Sequence, residues 1–69
     1  MDIKEATILA MKNGKYMYRK SEKEEGIDVN VLPTNTWDCC ILISDSTDIV
    51  GKRWNPTAND LMADDWEVS

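Results

Sequence analysis

Five aromatic side chains, two basic pairs and a carboxylate-rich C-terminal segment are the residues of this chain that could do chemistry. Tyr16, Tyr18, Trp37, Trp54 and Trp66 are many aromatics for 69 residues. Those a small core cannot take up are left to stack on a planar ligand or a partner subunit. Arg19-Lys20 and Lys52-Arg53 can neutralise phosphate, the arginines with a bidentate fork. Each of these also has a plainer role open to it, a tryptophan as core filler and a cation as solvated surface charge. Catalysis is poorly equipped. There is no histidine, which removes the commonest general base near neutrality and the usual zinc ligand. Cys39-Cys40 precedes apolar Ile41-Leu42, a setting for small buried hydrophobes, or an interface contact at Cys40, rather than for redox work. On a strand the two thiols would point to opposite faces. Asp60, Asp64, Asp65 and Glu67 lie around a predicted helix end and read as a solvated acidic face rather than a cation site. Gly14, Gly26 and Gly51 stand singly, so no glycine-rich phosphate loop is present. The pattern is one of binding, not turnover, and calls for no cofactor.

The chain that positions these residues forms one domain over 1–69, too short for a second. Surface scaling gives about 4,400 Å² exposed after folding, with only about 60% of the unfolded surface buried. Two cysteines cannot staple such a chain, so oligomerisation is the expected source of added stability and a homo-oligomer is predicted. A hydrophobic content of 42% fits a globular protein. Eight basic against 13 acidic residues give a net charge of −5, which argues against a DNA or RNA polymer gripped by its phosphates. The charge is uneven: residues 1–20 carry five basic and two acidic side chains, so a small anion can still meet a local basic site. No apolar run reaches the roughly 18 residues of a membrane span. The opening Met1-Asp2-Ile3-Lys4-Glu5 lacks the uncharged core of a signal peptide. A cytosolic protein is expected.

Asp2 and Glu5 have capping-box spacing, Ile3, Ala6, Leu9 and Ala10 form an apolar stripe, and Asn13-Gly14 supplies a left-handed stop, which predicts a helix ending near Asn13. Lys15 to Lys20 predicts a strand with Tyr16 and Tyr18 on one face. Ser21 to Gly26 reads as a solvated loop. Ile27, Val29 and Val31 alternate with Asp28 and Asn30 ahead of Pro33, a strand whose odd positions face inward. Trp37 to Ile43 is apolar on both parities, as in a central or interfacial strand. Ser44 to Asp48 is a polar turn, and Ile49 to Trp54 a further short strand interrupted by Gly51. Thr57 and Asp60 cap a second, shorter helix over 58–63, and Trp66 and Val68 share a face of a final edge strand. Short connections between these elements predict an α+β fold: a small antiparallel sheet with an N-terminal helix and a short second helix before the last strand.

The segment Trp54-Asn55-Pro56-Thr57-Ala58-Asn59-Asp60-Leu61-Met62-Ala63-Asp64-Asp65-Trp66-Glu67-Val68 is similar to a closing motif Trp-x-Pro-Ser/Thr-x-x-Asp-Leu-x-Ala-x-Asp-Trp. That motif belongs to the Thoeris anti-defence type two family of small phage sponge proteins. The Ile3-Lys4-Glu5-Ala6 helix, Gly14-Lys15 and Arg19-Lys20 resemble the family's N-terminal half. The likeness spans most of the chain, and its specific part is the last 15 residues quoted. It implies a homotetramer in the host cytoplasm that sequesters a cyclic ADP-ribose isomer without cleaving it, with cyclic oligonucleotides held by some members at separate sites. Matching the motif makes Trp54, Asn55, Thr57 and Asp60 ligand-site candidates, with Arg19 and Lys20 as phosphate contacts. Thr57 and Asp60 serve equally as helix caps alone. Many members carry a glycine and a tryptophan after the basic pair, where this chain has Ser21 and Glu22. Trp37 or Tyr18 would then replace that aromatic platform, unless the ligand differs or only the fold is retained. The competing class is an acidic protein-interaction module that inhibits a host protein directly.

Overall fold

The Asp2 carboxylate accepts the Glu5 amide at 2.8 Å and so opens helix α1, Ile3–Asn13. Gly14, at φ +63°, closes it, because only a residue without a Cβ enters that region freely. The computed structural model describes residues 1–27, 29–37, 39–44 and 50–69. After α1 come β1 (Met17–Arg19), α2 (Lys20–Glu24), β2 (Asn30–Leu32), β3 (Ile41–Ile43), β4 (Val50–Gly51), α3 (Ala58–Met62) and β5 (Trp66–Val68). The strands form one antiparallel sheet in the order β4-β3-β2-β1-β5. β4 and β5 occupy opposite edges, so the segment 52–65 crosses the sheet and lays α3 against α1. Among the described residues no helix is long and apolar enough to cross a membrane.

Register explains the core. Met17 pairs with both Val31 and Val68, and Val31 pairs with Leu42, so these side chains share one face. Ala6 and Ala10, one turn apart, are fully buried against that face with Met17, Val31 and Trp66, while Ile3, Cys40, Leu42, Trp54, Ala63 and Val68 pack around them. Two alanines let the helix approach closely enough for Trp66 to fill the space beneath it. The opposite face carries Leu32, Ile41 and Ile43, all half-buried.

The predicted α+β architecture is the observed one, with local departures, among them the strand expected over Ile49 to Trp54, which is confined to Val50–Gly51 among the described residues. Ser21 to Gly26, read as a loop, holds all of α2 but its first residue, Lys20, and the first amides of α2 are met from far along the chain: Asp65 accepts Lys20 N through its carbonyl and Ser21 N through its carboxylate, each at 3.0 Å. Gly26, at φ +83°, ends this helix in a Schellman turn, with Gly26 N bonded to Lys23 O and Ile27 N to Glu22 O. Of the three odd positions expected inside, only Val31 is buried, and Ile27 and Val29 are exposed because the chain is still leaving α2 and pairs only from Asn30 onward. Asn30, expected outside, is buried instead.

The strand expected over 37–43 is confined to Ile41–Ile43. Thr34 closes a turn before it, donating from Oγ1 to the Cys39 carbonyl and accepting Thr36 N, while Cys39 N donates to Thr36 O. Cys39 takes φ +56°, so Cys39-Cys40 does not have strand geometry, with one thiol exposed and the other half-buried. The strand expected from Lys15 is likewise reduced to Met17–Arg19. The turn read over 44–48, apart from Ser44, lies outside the described residues, as does Ile49.

Candidate functional site

The end of β1, the start of α2 and the segment that carries α3 meet around one guanidinium. Arg19 Nε lies 2.5 Å from Asp65 Oδ1, and its Nη1 lies 3.1 Å from Asp60 Oδ1 and 3.7 Å from Glu22 Oε1. Nη2 donates to Ser21 Oγ at 3.4 Å. Three carboxylates on one cation leave the cluster net negative, with the Arg19 guanidinium engaged by its own chain. The Ser21 hydroxyl and amide, with Arg19 beside them, hold the Asp65 carboxyl well below the usual carboxylate range. Glu22 moves the other way: burial and the charge of Asp60 raise its pKa against the pull of Arg19. The guanidinium is itself held more firmly charged by Asp65.

Asp60 joins this cluster to α3. Its second carboxylate oxygen accepts Thr57 N at 2.8 Å while its own amide donates to Thr57 Oγ1 at 3.2 Å, a complete capping box. The Asp60 carbonyl accepts the indole N–H of buried Trp66 at 2.9 Å, and Trp66 meets Trp54 edge to face with centroids 5.8 Å apart. The structure thus brings together Arg19, Trp54, Thr57 and Asp60 of the predicted site residues, and Lys20 and Asn55 stand exposed on the same segments.

Tyr18 and Trp37 take no part in the Arg19 cluster. Tyr18 alternates onto the opposite sheet face from Met17 and Arg19, where its hydroxyl donates to Glu67 at 3.1 Å and Lys23 Nζ sits 4.3 Å above its ring. Burial and Glu67 push its pKa up. Trp37 is 90% exposed in the loop before β3. Arg53 Nε donates to the Trp37 carbonyl at 3.4 Å, and Trp54 N donates to Cys40 O at 2.8 Å, so the loop before β3 and the segment after β4 are tied side by side.

A family model described as the Thoeris anti-defense 2-like (Tad2-like) domain matches residues 1–69. The chain belongs to this family. The membership supports a phage anti-defence role directed at the Thoeris system. No curated protein and no solved structure matches the chain. Within this Tad2-like fold, the motif residues Trp54, Thr57, Asp60, Asp65 and Trp66 have structural work to do: they cap two helices, pair Arg19 and fill the core. Reading the sequence missed Asp65 as the cap of α2, and missed Ser21 and Glu22 as companions of Arg19. The aspartate just before Trp66 in the motif was the available signal, but its target is 44 residues away.

Proposed function

We propose that this protein is a phage anti-defence sponge that binds a nucleotide-derived immune signal, a cyclic ADP-ribose isomer or a cyclic oligonucleotide, and holds it intact. The whole-chain match to the Tad2-like family carries this reading. The chemistry of the carboxylates supports binding without turnover: Asp60 and Asp65, the acids of the motif, are engaged with backbone amides and Arg19 and are poorly placed to exchange protons with a substrate. In this reading exposed Lys20, Trp37 and Asn55 touch the ligand, Trp54 backs the site, and Arg19, Thr57 and Asp60 hold the segments that carry them. Tyr18, on the other face, would serve ligand binding only across a subunit boundary.

The sponge assembles as a homo-oligomer, a tetramer by family likeness, in the host cytoplasm. Support for assembly comes from the surface. The chain exposes 4802 Å², more than the about 4,400 Å² that scaling gives for its mass. Ile8, Leu61 and Met62 are more than half exposed, and the sheet face opposite α1 leaves Leu32, Ile41 and Ile43 half-covered. A second subunit would bury such surface.

The test is to mix purified protein with cyclic ADP-ribose isomers and cyclic di- and trinucleotides, remove what is unbound, denature by heat and analyse the released material by mass spectrometry. One intact nucleotide at a fixed ratio to subunits is expected. A converted product would make the protein an enzyme. No retained nucleotide, with salt-sensitive capture of one host protein, would move the reading to an acidic interaction module.

A further inference from the structure

We infer that Arg53, beside Trp37, is the guanidinium that meets the phosphate of the ligand, and that the two residues form one clamp for a base with its attached phosphate. This rests on the sponge reading and assigns its ligand contacts.

A nucleotide needs a flat apolar surface for the base and a cation within reach for the phosphate. Arg19 is poorly suited to the second task, since Asp65, Asp60 and Glu22 surround it and would repel an incoming phosphate. Arg53 differs. Among the described residues no carboxylate pairs with it, and it bonds through Nε to the Trp37 carbonyl. That bond fixes the guanidinium beside the Trp37 backbone while leaving its two terminal nitrogens to point elsewhere. Trp37 is the most exposed large apolar side chain among the described residues, at 90%, an indole with both faces available for stacking.

The backbone around the pair is held in an unusual shape. Cys39 at φ +56° and Arg53 at φ +60° are the two described non-glycine residues with positive φ, one in each of the two segments that Trp54 N and Cys40 O tie together. Such conformations carry strain and persist where surrounding structure over-determines them, commonly at ligand sites. Here the over-determination is visible: Thr34, Thr36 and Cys39 close the Trp37 loop on itself. Preorganised loops lose little entropy when a ligand arrives.

The experiment is an equilibrium titration of the full chain with the same cyclic ADP-ribose isomers and cyclic di- and trinucleotides, using wild type, W37A, R53Q and K12Q, with far-UV circular dichroism and thermal melting as folding controls. Both W37A and R53Q are expected to melt as wild type does, because their side chains are exposed, and to bind at least about tenfold more weakly. K12Q, which removes the same charge from the far end of α1, is expected to bind as wild type does. If W37A and R53Q bind within about twofold of wild type, the clamp is wrong and the sponge reading stands. A loss in K12Q equal to that in R53Q would reduce Arg53 to a contributor of net charge and overturn its assignment. If wild type binds none of these nucleotides, both readings fall.

Discussion

Arg19 and Asp65, 46 residues apart in the chain, meet at 2.5 Å and close the fold where its first and last strands pair. The ion pair is only half of what Asp65 does. Its other carboxylate oxygen accepts the Ser21 amide, so one side chain satisfies a guanidinium and the N-terminus of α2.

Removing that side chain, as in D65A, is therefore expected to cost about 2 kcal/mol, a lost cap together with a lost charge-assisted hydrogen bond. Urea unfolding of the variant checks this. A midpoint unchanged from wild type would mean that the pair is a surface contact of no weight.

The pH dependence follows from the same group. The folded protein keeps Asp65 ionised to lower pH than the unfolded chain does, so its contribution is complete above the ordinary Asp pKa of about 3.9 and drains away as the pH falls below it. Glu22, with its pKa raised in the folded state, acts in the opposite direction over the carboxylate range. Urea midpoints at pH 7, 5 and 3 are expected to fall most steeply in the last interval, and less steeply in D65A than in wild type.

Glu22 is the third carboxylate on a single guanidinium, and its charge is disfavoured by burial and then by Asp60. E22Q is expected to leave stability at pH 7 equal to or slightly above that of wild type, within about 0.5 kcal/mol. A clear loss in chemical denaturation would show that the Arg19 pairing outweighs the repulsion.

Thr57 accepts the Asp60 amide through its hydroxyl. T57A is expected to lower stability by about 1 kcal/mol and T57S to restore most of it, because only the hydroxyl is needed for the cap. Ligand retention measured on the refolded variants separates this role from direct contact: T57A that is folded yet binds no nucleotide would make the hydroxyl a ligand group.

Ala10 is 1% exposed between α1 and the sheet. A10L has no room there and is expected to cost about 1–3 kcal/mol by forcing the helix outward. I8A, at a position 59% exposed, is expected to leave monomer stability unchanged. Any loss it does cause that grows on dilution would place Ile8 in a subunit interface.

How much of this was legible in the chain follows the reach of the forces involved. The α1 cap at Asp2, its stop at Gly14 and the Thr57-Asp60 box depend on side chains within three or four residues of the amides they serve, and such signals stand in the sequence in readable order. The order of helices and strands, α2 apart, follows from them and from alternating apolar positions. The motif around Trp54 to Trp66 was equally plain as a resemblance, though it did not say that Asp65 caps α2 and pairs with Arg19.

Tertiary structure alone decided the rest. A charged stretch such as Ser21–Glu24 becomes helix only when Asp65 arrives to cap it, and no local pattern records a partner 44 residues away. Asn30 is buried and Ile27 and Val29 exposed because strand pairing, not alternation, sets where β2 begins. Trp37, which shares a parity with Cys39, Ile41 and Ile43 in the sequence, is left in solvent because the Thr34 turn holds its loop off the sheet, and Arg53 is brought to it by β4. Local chemistry determined the elements other than α2. Long-range hydrogen bonds determined which side chains are locked between them and which are left exposed.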